Sequence, residues 1–489
     1  MVFDTFVAMR IRHLTVACAG MLIALCSHGQ PTWRKAFGAY DADEGACVRV
    51  TPEGDYLVVG STSSFGFGSS DVYLLKIDPD GGLLWSKTYG GPQIDRGASM
   101  SIAPDGSVLI AGYTNGGGNG GYDGWLMKTD ADGVVLWQRS YGGEGWDFLY
   151  DVEPLADGDW LLAGSTYSEG AGSSDGWLLR TNSSGDVVWS NTYGSIGEDD
   201  LRSAIQTSDG GFVLAGTYDD EGDKDALVIK LDETGALDWE QHIGGDSADL
   251  AVDVLETLDG GFSVIGSTRS YSVWNEHLHF KLSAMGDSLW AQNFGQINDQ
   301  EAMEHVELLS GRFATVGYTK TSGGGAKDLF ALLSESDGSF IVQHTYGLVE
   351  DDVGHSIAET ENGFVLCGST RSSGSGNSDV YVIRCDSVVD TATEVITTQF
   401  DATGVVVPGT ADAPLAFFPN PANGGTHLNS IQGLFSVRLH DSQGRLVLEW
   451  QQPVPQDLDL RGLSDGMYQL VTLSDKGVRT AQPLIISNH

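Results

Sequence analysis

Trp85-Ser86-Lys87-Thr88-Tyr89-Gly90 is the clearest copy of a hexapeptide that recurs along this chain. The pattern is Trp-x-x-x-aromatic-Gly, with Ile243 in the aromatic position of one copy. The copies begin at Trp33, Trp85, Trp137, Trp189, Trp239 and Trp290, and a degraded copy begins at Val342. Successive copies therefore start 50 to 52 residues apart. A repeat of about 50 residues with strand-like content is typical of β-propeller blades.

Each repeat contains four runs of strand-forming residues separated by turn sequences. In residues 98–142 the runs are Ala98–Ile102, Val108–Thr114, Asp123–Lys128 and Val134–Tyr141. The turn sequences between them, such as Pro104-Asp105-Gly106, favour an antiparallel meander. A right-handed β-solenoid is the alternative, but its coils are usually shorter, roughly 20 to 30 residues. The sequence therefore predicts an all-β β-propeller.

The two ends of the repeat region complement each other. The inner strand and the hexapeptide strand each occur seven times, but the first hexapeptide, Trp33–Gly38, precedes any inner strand. The last repeat runs through Val380–Cys385 and has no hexapeptide after it. We therefore expect these two segments to pair, which makes a seven-bladed β-propeller closed by its N-terminal strand and leaves no open sheet edge there.

The composition divides the chain into four segments. Residues 1–29 are predicted to be a signal peptide, because Arg10 and Arg12 precede an apolar run and Ser27-His28-Gly29 fits a cleavage site. That run is too short to span a bilayer, and no transmembrane span is predicted in the mature chain. Residues 31–387 are assigned to the propeller, 388–413 to a linker, and 414–489 to a small C-terminal β-sandwich.

The chain is strongly acidic, with 26 basic and 67 acidic residues and a net charge of −41. Such a surface repels nucleic acid and anionic lipid, so nucleic-acid binding is not predicted. Three cysteines follow the signal segment: Cys47, Cys367 and Cys385. Their odd number favours buried thiols over a disulfide framework.

The C-terminal segment carries three motifs in a fixed order. They are Phe418-Pro419-Asn420-Pro421, Gly444-Arg445 in a turn, and Leu463-x-x-Gly466-x-Tyr468. Together they resemble the type A C-terminal sorting domain of the bacterial type IX secretion system. The resemblance implies export across the outer membrane of a Bacteroidota-like bacterium, to a secreted or cell-surface location. It also implies that residues 414–489 have the type IX machinery and a sortase-like protease as partners. The propeller repeats resemble those of secreted bacterial proteins that share no single activity.

The loops that join strands two to three and four to one are expected on one face, called here the loop-rich face. Ligand binding is predicted there, because the opposite face has mostly short Asp-Gly turns. Aromatic residues in or next to these loops are the predicted contacts for a glycan or a surface protein: Phe65, Phe67, Trp146, Tyr271 and Trp274. The alternative is that these rings pack over the seams between blades.

Two acids recur in the repeats. One lies ten residues after each hexapeptide start: Asp43, Asp95, Asp147, Asp199, Asp249 and Asp352, with Gln300 as the exception. The other opens each third strand: Asp71, Asp123, Asp175, Asp225, Asp328 and Asp379, with Glu276 as the exception. Both exceptions flank Trp290, so we expect the two acids to share one network. They are interpreted as fixing the loops. Cation binding is the alternative, which leaves calcium open, and no other cofactor is predicted.

His277 and His279 lie on one side of a predicted strand beside Glu276. They are interpreted as surface residues of an outer strand, with a metal site as the alternative.

The sequence leaves three functions open. The first is a non-enzymatic binding protein that holds glycan or protein on its loop-rich face. The second is a polysaccharide-active enzyme that uses carboxylates of that face, and the third is a structural component of the cell surface.

Overall fold

The computed structural model describes residues 32–118, 120–295, 298–323, 326–391, 396–399, 417–418, 425–428, 434–440, 446–451, 453–464, 466–474 and 479–486. The predicted signal peptide lies outside these residues. All 36 named elements are β-strands, numbered here in chain order. No helix in the described ranges is long and apolar enough to cross a membrane.

The first strand, β1 (Trp33–Phe37), is followed by seven antiparallel sheets, which are the blades of the predicted propeller. Blade 1 contains β2 (Asp43–Val50), β3 (Tyr56–Thr62), β4 (Asp71–Ile77) and β5 (Leu83–Tyr89). Blade 2 contains β6 (Asp95–Ile102), β7 (Val108–Thr114), β8 (Asp123–Thr129) and β9 (Val135–Tyr141). Blade 3 contains β10 (Asp147–Pro154), β11 (Trp160–Thr166), β12 (Asp175–Thr181) and β13 (Val187–Tyr193). Blade 4 contains β14 (Asp200–Gln206), β15 (Phe212–Asp220), β16 (Asp223–Leu231) and β17 (Leu237–Ile243).

The remaining blades follow the same order. Blade 5 contains β18 (Asp249–Glu256), β19 (Phe262–Thr268), β20 (Glu276–Leu282) and β21 (Ser288–Phe294). Blade 6 contains β22 (Gln300–Glu307), β23 (Phe313–Thr319), β24 (Asp328–Ser334) and β25 (Phe340–Tyr346). Blade 7 contains β26 (Asp352–Thr360), β27 (Gly363–Thr370) and β28 (Asp379–Asp386), together with β1.

The N-terminal strand closes the ring as predicted. β1 pairs antiparallel with β28, with Trp33 opposite Arg384 and Phe37 opposite Val380. A further strand, β29 (Ile396–Gln399), pairs parallel with the other edge of β1. Part of the segment assigned to the linker therefore belongs to the seventh sheet, and the edge of β1 is covered as well.

Every inner strand contains a β-bulge at the same place. In blade 1 the register shifts between Gly45 and Cys47, which leaves Ala46 unpaired. The equivalent residues of all blades are Ala46, Ala98, Tyr150, Arg202, Val252, Met303 and His355. Each lies 13 residues after the start of a hexapeptide copy. A bulge re-aims the side chain that it carries, and these seven residues line the axis of the ring.

The next residue of each inner strand forms a belt around the central channel: Cys47, Ser99, Asp151, Ser203, Asp253, Glu304 and Ser356. Belt residues bond to the neighbouring blade. Glu304 Oε2 accepts from the Ile357 amide at 2.8 Å, and Asp151 Oδ2 accepts from the Ala204 amide at 3.1 Å. Charge-assisted bonds to backbone N–H groups are strong, so the belt ties the blades together near the axis.

The C-terminal segment forms two further sheets. One contains β30 (Phe417–Phe418), β31 (Gly425–Leu428) and β34 (Asp457–Asp459). The other contains β32 (Leu434–His440), β33 (Leu446–Gln451), β35 (Gly466–Ser474) and β36 (Arg479–Ile486). Leu428 and Leu458 of the first sheet pack with Val437, Leu439 and Leu470 of the second in one core, which makes the predicted β-sandwich.

Candidate functional site

A cavity opens on the axis at the loop-rich face, where the inner strands begin. Its volume is about 800 Å³, within the range of roughly 300–1,000 Å³ that holds small ligands. The channel mouth, as this cavity is called here, is lined by the bulge residues and by side chains from the ends of second strands, such as Tyr113 and Tyr167.

Six aromatic side chains of blades 2 and 3 extend from the channel mouth across the loop-rich face. This aromatic patch consists of Tyr113, Tyr122, Trp146, Phe148, Tyr150 and Tyr167. Each ring centroid lies 5.0–6.1 Å from that of at least one other member. These are distances of favourable ring contact, so the rings form one continuous surface.

The exposed end of the patch is formed by two side chains. Trp146 is 54% exposed and Tyr167 is 44% exposed, and their centroids lie 6.1 Å apart. The other members are half-buried. Tyr150, at the channel end, stacks on Phe148 on one side and lies 4.3 Å from the Arg202 guanidinium on the other. Its ring faces are therefore occupied, whereas those of Trp146 and Tyr167 are open to solvent.

Oppositely charged side chains alternate around the channel mouth. Arg96 Nη1 lies 3.5 Å from Glu44 Oε2, and Arg202 Nη2 lies 2.6 Å from Asp200 Oδ2. A third pair, Lys224 with Glu198, has its charged atoms 3.4 Å apart. Three cations are thus matched by three carboxylates, and the mouth presents hydrogen-bond donors beside acceptors with little net charge.

The structure separates the five aromatic residues that the sequence indicated. Trp146 belongs to the aromatic patch. Tyr271 and Trp274 are 69% and 43% exposed on the loop between β19 and β20. Phe67 is half-buried. The expected exposure of Phe65 is wrong: this ring is 8% exposed and packs 5.6 Å from Tyr73, because the loop folds back over the core of blade 1.

The two recurrent acids meet at the blade junctions. A Cβ on Gly90 would lie 2.3 Å from Asp71 Oδ1 and 2.6 Å from Asp95 Oδ2, so both carboxyl groups flank the hexapeptide glycine. The same arrangement joins Asp379 to Asp43 at Gly38, Asp225 to Asp249 at Gly244, and Asp328 to Asp352 at Gly347. Glu276, one exception, lies against Gly295, and Gln300 begins the next blade. The two exceptions therefore occupy one junction.

All of these aspartates are buried except Asp225, which is partly buried. Asp43 shows their contacts: its Oδ2 accepts from the Ala39 amide at 2.9 Å and from Ser64 Oγ at 2.7 Å, and its Oδ1 accepts from Thr62. Burial raises the pKa of Asp43 to about 7. Burial, and then the charge of Asp95, raises the pKa of Asp71 to about 9. Such contacts fix loops, and cation binding by these acids stays a prediction.

A buried chain of polar groups links the channel to blade 5. Asp253 Oδ2 lies 2.8 Å from His305 Nδ1, whose Nε2 lies 2.9 Å from Ser263 Oγ, and that oxygen is 2.8 Å from His279 Nε2. The first three groups have triad-like spacing, but Ser263 is fully buried and meets no substrate. His277 and His279 are also fully buried. Their predicted surface position is wrong, because β20 is a third strand that packs against blade 6.

Among the described residues, no group of three or more His, Cys, Asp or Glu side chains is arranged to hold a metal ion. The bulge and belt positions were missed by the sequence reasoning. Their constant offsets of 13 and 14 residues from the hexapeptide were the available signal, but their side chains differ from blade to blade.

Comparison with known proteins identifies the C-terminal segment. Residues 416–487 match the family described as the secretion system C-terminal sorting domain. A stretch of 89 residues is 33% identical to the regulatory protein FlaEY of Caulobacter vibrioides, and it spans 16% of this chain and 9% of that protein.

Two solved structures are similar in outline. One is PorZ of Porphyromonas gingivalis, described as an essential bacterial surface component of the type-IX secretion system. It has a TM-score of 0.41 and 12% identity, over 90% of this chain and 59% of that chain. The other is the extracellular domain of the two component system BT4673 of B. thetaiotaomicron. It has a TM-score of 0.43 and 13% identity, over 91% of this chain and 56% of that chain.

The seven blades and the sorting domain together define the protein in general terms. It is an extracellular β-propeller protein that the type IX secretion system exports, through its C-terminal sorting domain, to the cell surface or the surrounding medium.

Proposed function

We propose that the exported propeller is a non-enzymatic binding protein that holds a glycan on the aromatic patch of blades 2 and 3. The observation that carries this proposal is the continuity of six rings between solvent and the channel mouth, with Trp146 and Tyr167 exposed at one end. Flat aromatic faces bury apolar area at low entropy cost and suit the faces of sugar rings.

The charge of the protein supports a glycan over a polyanion. A net charge of −41 repels nucleic acid and acidic surfaces. The recurrent aspartates do not favour the alternative of a polysaccharide-active enzyme, because nearly all of them are buried and already bonded to loop groups. A glycosidase needs two carboxyl groups that both reach the sugar ring.

The test is a glycan array probed with the full chain, the double variant Trp146→Ala/Tyr167→Ala, and the control Phe340→Ala. Phe340 is 57% exposed on the outer strand β25, away from the patch. We expect the double variant to lose at least tenfold in affinity, which corresponds to about 1.4 kcal/mol. The control should bind as the unchanged chain does.

Two outcomes would contradict the proposal. If the unchanged chain binds no glycan on the array, glycan binding is wrong. If Tyr271→Ala/Trp274→Ala abolishes binding while the patch variant retains it, the ligand instead occupies the blade 5 loop.

A further inference from the structure

The channel mouth and the aromatic patch form one connected surface. Tyr113, Tyr150 and Tyr167 belong to the patch and also line the mouth. A ligand that lies on Trp146 and Tyr167 can therefore continue into the cavity on the axis. The mouth, at about 800 Å³, has room for part of a chain molecule beyond the residues in contact with the patch.

The channel is divided into two cavities along its axis. The channel mouth and a second cavity of about 240 Å³ share the bulge residues Ala46, Ala98, Tyr150, Arg202, Met303 and His355 in their linings. These residues thus form the boundary between the two cavities. Four of them carry long or aromatic side chains, which restrict the passage on one side. A chain that enters from the loop-rich face ends at this boundary.

The charges at the mouth favour a neutral ligand with hydroxyl groups. Arg96, Arg202 and Lys224 each have an acidic partner within 3.5 Å, so no surplus cation is present to bind a carboxylate or a sulfate. Each pair still has donors and acceptors beyond those joining it, because a guanidinium has five N–H groups and a carboxylate has four lone-pair sites. Asp200 Oδ1, for example, is buried and accepts no hydrogen bond within the described protein. A sugar hydroxyl donates and accepts at once, which suits such pairs.

We propose that the channel mouth binds the end of a neutral oligosaccharide whose neighbouring sugar residues lie on the aromatic patch. This inference rests on the proposed function and adds two properties to it. The ligand is uncharged, and the protein recognises a chain end rather than the middle of a chain.

The test fills the mouth without changing the patch. Ala98 lines the mouth at the bulge of blade 2, and blade 3 has Tyr150 at the equivalent position. The backbone of this repeat thus accommodates a tyrosine there, so Ala98→Tyr should fold. The matched control is Glu233→Tyr, which adds the same side chain to an exposed turn on the opposite face.

The probes are neutral oligosaccharides immobilised through either end, beside uronic-acid and sulfated chains of equal length. We expect the full chain to bind neutral chains in one orientation only. Ala98→Tyr should lower that affinity at least tenfold, whereas Glu233→Tyr should not change it. Thermal unfolding of each variant, compared with the unchanged chain, establishes that it is folded.

The results separate this inference from the proposed function. Unchanged binding by folded Ala98→Tyr, equal binding in both orientations, or tighter binding of acidic chains would each overturn the chain-end inference. If Trp146→Ala/Tyr167→Ala still abolishes binding in such a case, the proposed function stands without it. If the unchanged chain binds none of the probes, both fail.

Discussion

Six blade junctions contain a tryptophan against a glycine, and the junction between blades 6 and 7 contains neither. In the six, the tryptophan that opens an outer strand lies on the turn between the third and fourth strands of the next blade. A Cβ on the turn glycine would come within 2.6–3.5 Å of that ring. The pairs are Trp33–Gly81, Trp85–Gly133, Trp137–Gly185, Trp189–Gly235, Trp239–Gly286 and Trp290–Gly338.

At the remaining junction the two positions changed together. Val342 replaces the tryptophan, and Val389 occupies the turn position with a φ of 55°. Val389 is fully buried in a core cluster, and Val342 packs against that cluster. The second aromatic of the hexapeptide keeps its role, since Tyr346 Oη donates to Val389 O as Tyr89 Oη donates to Gly133 O. The comparison teaches that the junction requires a filled volume, which one large side chain or two smaller ones can supply.

The largest effect is expected at the closing junction. Trp33 is 7% exposed, and its Nε1 donates to Pro79 O at 2.9 Å. Trp33→Ala should lower the free energy of unfolding by roughly 3–5 kcal/mol, because it leaves a cavity and an unpaired carbonyl. Val342→Ala should cost less, since it removes fewer buried carbons. Urea unfolding of both variants measures the difference, and equal losses would show that the tryptophan junctions are not the stronger ones.

A side chain on a turn glycine should be the next most damaging change. At Gly185, φ is 80° and a Cβ would lie 2.8 Å from the Trp137 ring. Gly185→Val should therefore cost at least about 2 kcal/mol from strain and overlap. Adding Trp137→Val reproduces the Val342–Val389 pair, and the double variant should be more stable than the sum of the two single losses. Strict additivity in this cycle would contradict the shared-volume explanation.

The acid pairs predict a loss of stability in alkali. Burial, and then Asp95, raises the pKa of Asp71 to about 9, against about 3.9 in an unfolded chain. The folded chain therefore holds a proton more tightly. The resulting stability is complete below about pH 4 and is lost as pH rises through 9. Between pH 7 and pH 10 the loss should be about 1.4 kcal/mol.

Asp71→Asn should flatten this alkaline loss, and Gln300→Asp should steepen it by placing a second acid beside Glu276. Thermal unfolding across this pH range measures both. If Asp71→Asn leaves the slope of stability against pH unchanged, the blade 1–2 junction does not titrate as described.

The smallest change is expected for Val389→Gly. It relieves a positive φ but removes a buried side chain, so the net effect should be under about 1 kcal/mol. Val342→Trp alone should destabilise by overpacking, and Val342→Trp/Val389→Gly should recover that loss. Differential scanning calorimetry of the three variants provides the measurement, and failure of the pair to recover would mean that this junction differs in backbone as well as in volume.

Much of the architecture could be predicted because the repeat is written in local chemistry. The hexapeptide period gave the blade count, and the displaced first copy at Trp33 gave the closing pair with β28. The sandwich of the tail was also predicted. The fifth strand β29 could not be predicted, because its pairing depends on a parallel contact with a strand more than 350 residues earlier.

The candidate site was less accessible to sequence reasoning. Trp146 was identified because it stands in a loop, but the same reasoning selected Phe65, which is buried. The other five members of the aromatic patch are spread over three strands and two loops. They meet only because blades 2 and 3 lie side by side.

The sequence by itself determined the number of blades, the strand that closes them and the sorting domain, since these depend on periodic turns and on contiguous motifs. Only the tertiary structure decided which side chains line the channel and which rings form a surface. A β-bulge at residue 13 of each repeat turns one side chain toward the axis, and ring closure brings seven such side chains together. Those distances are set by the geometry of the closed ring rather than by any local run of residues.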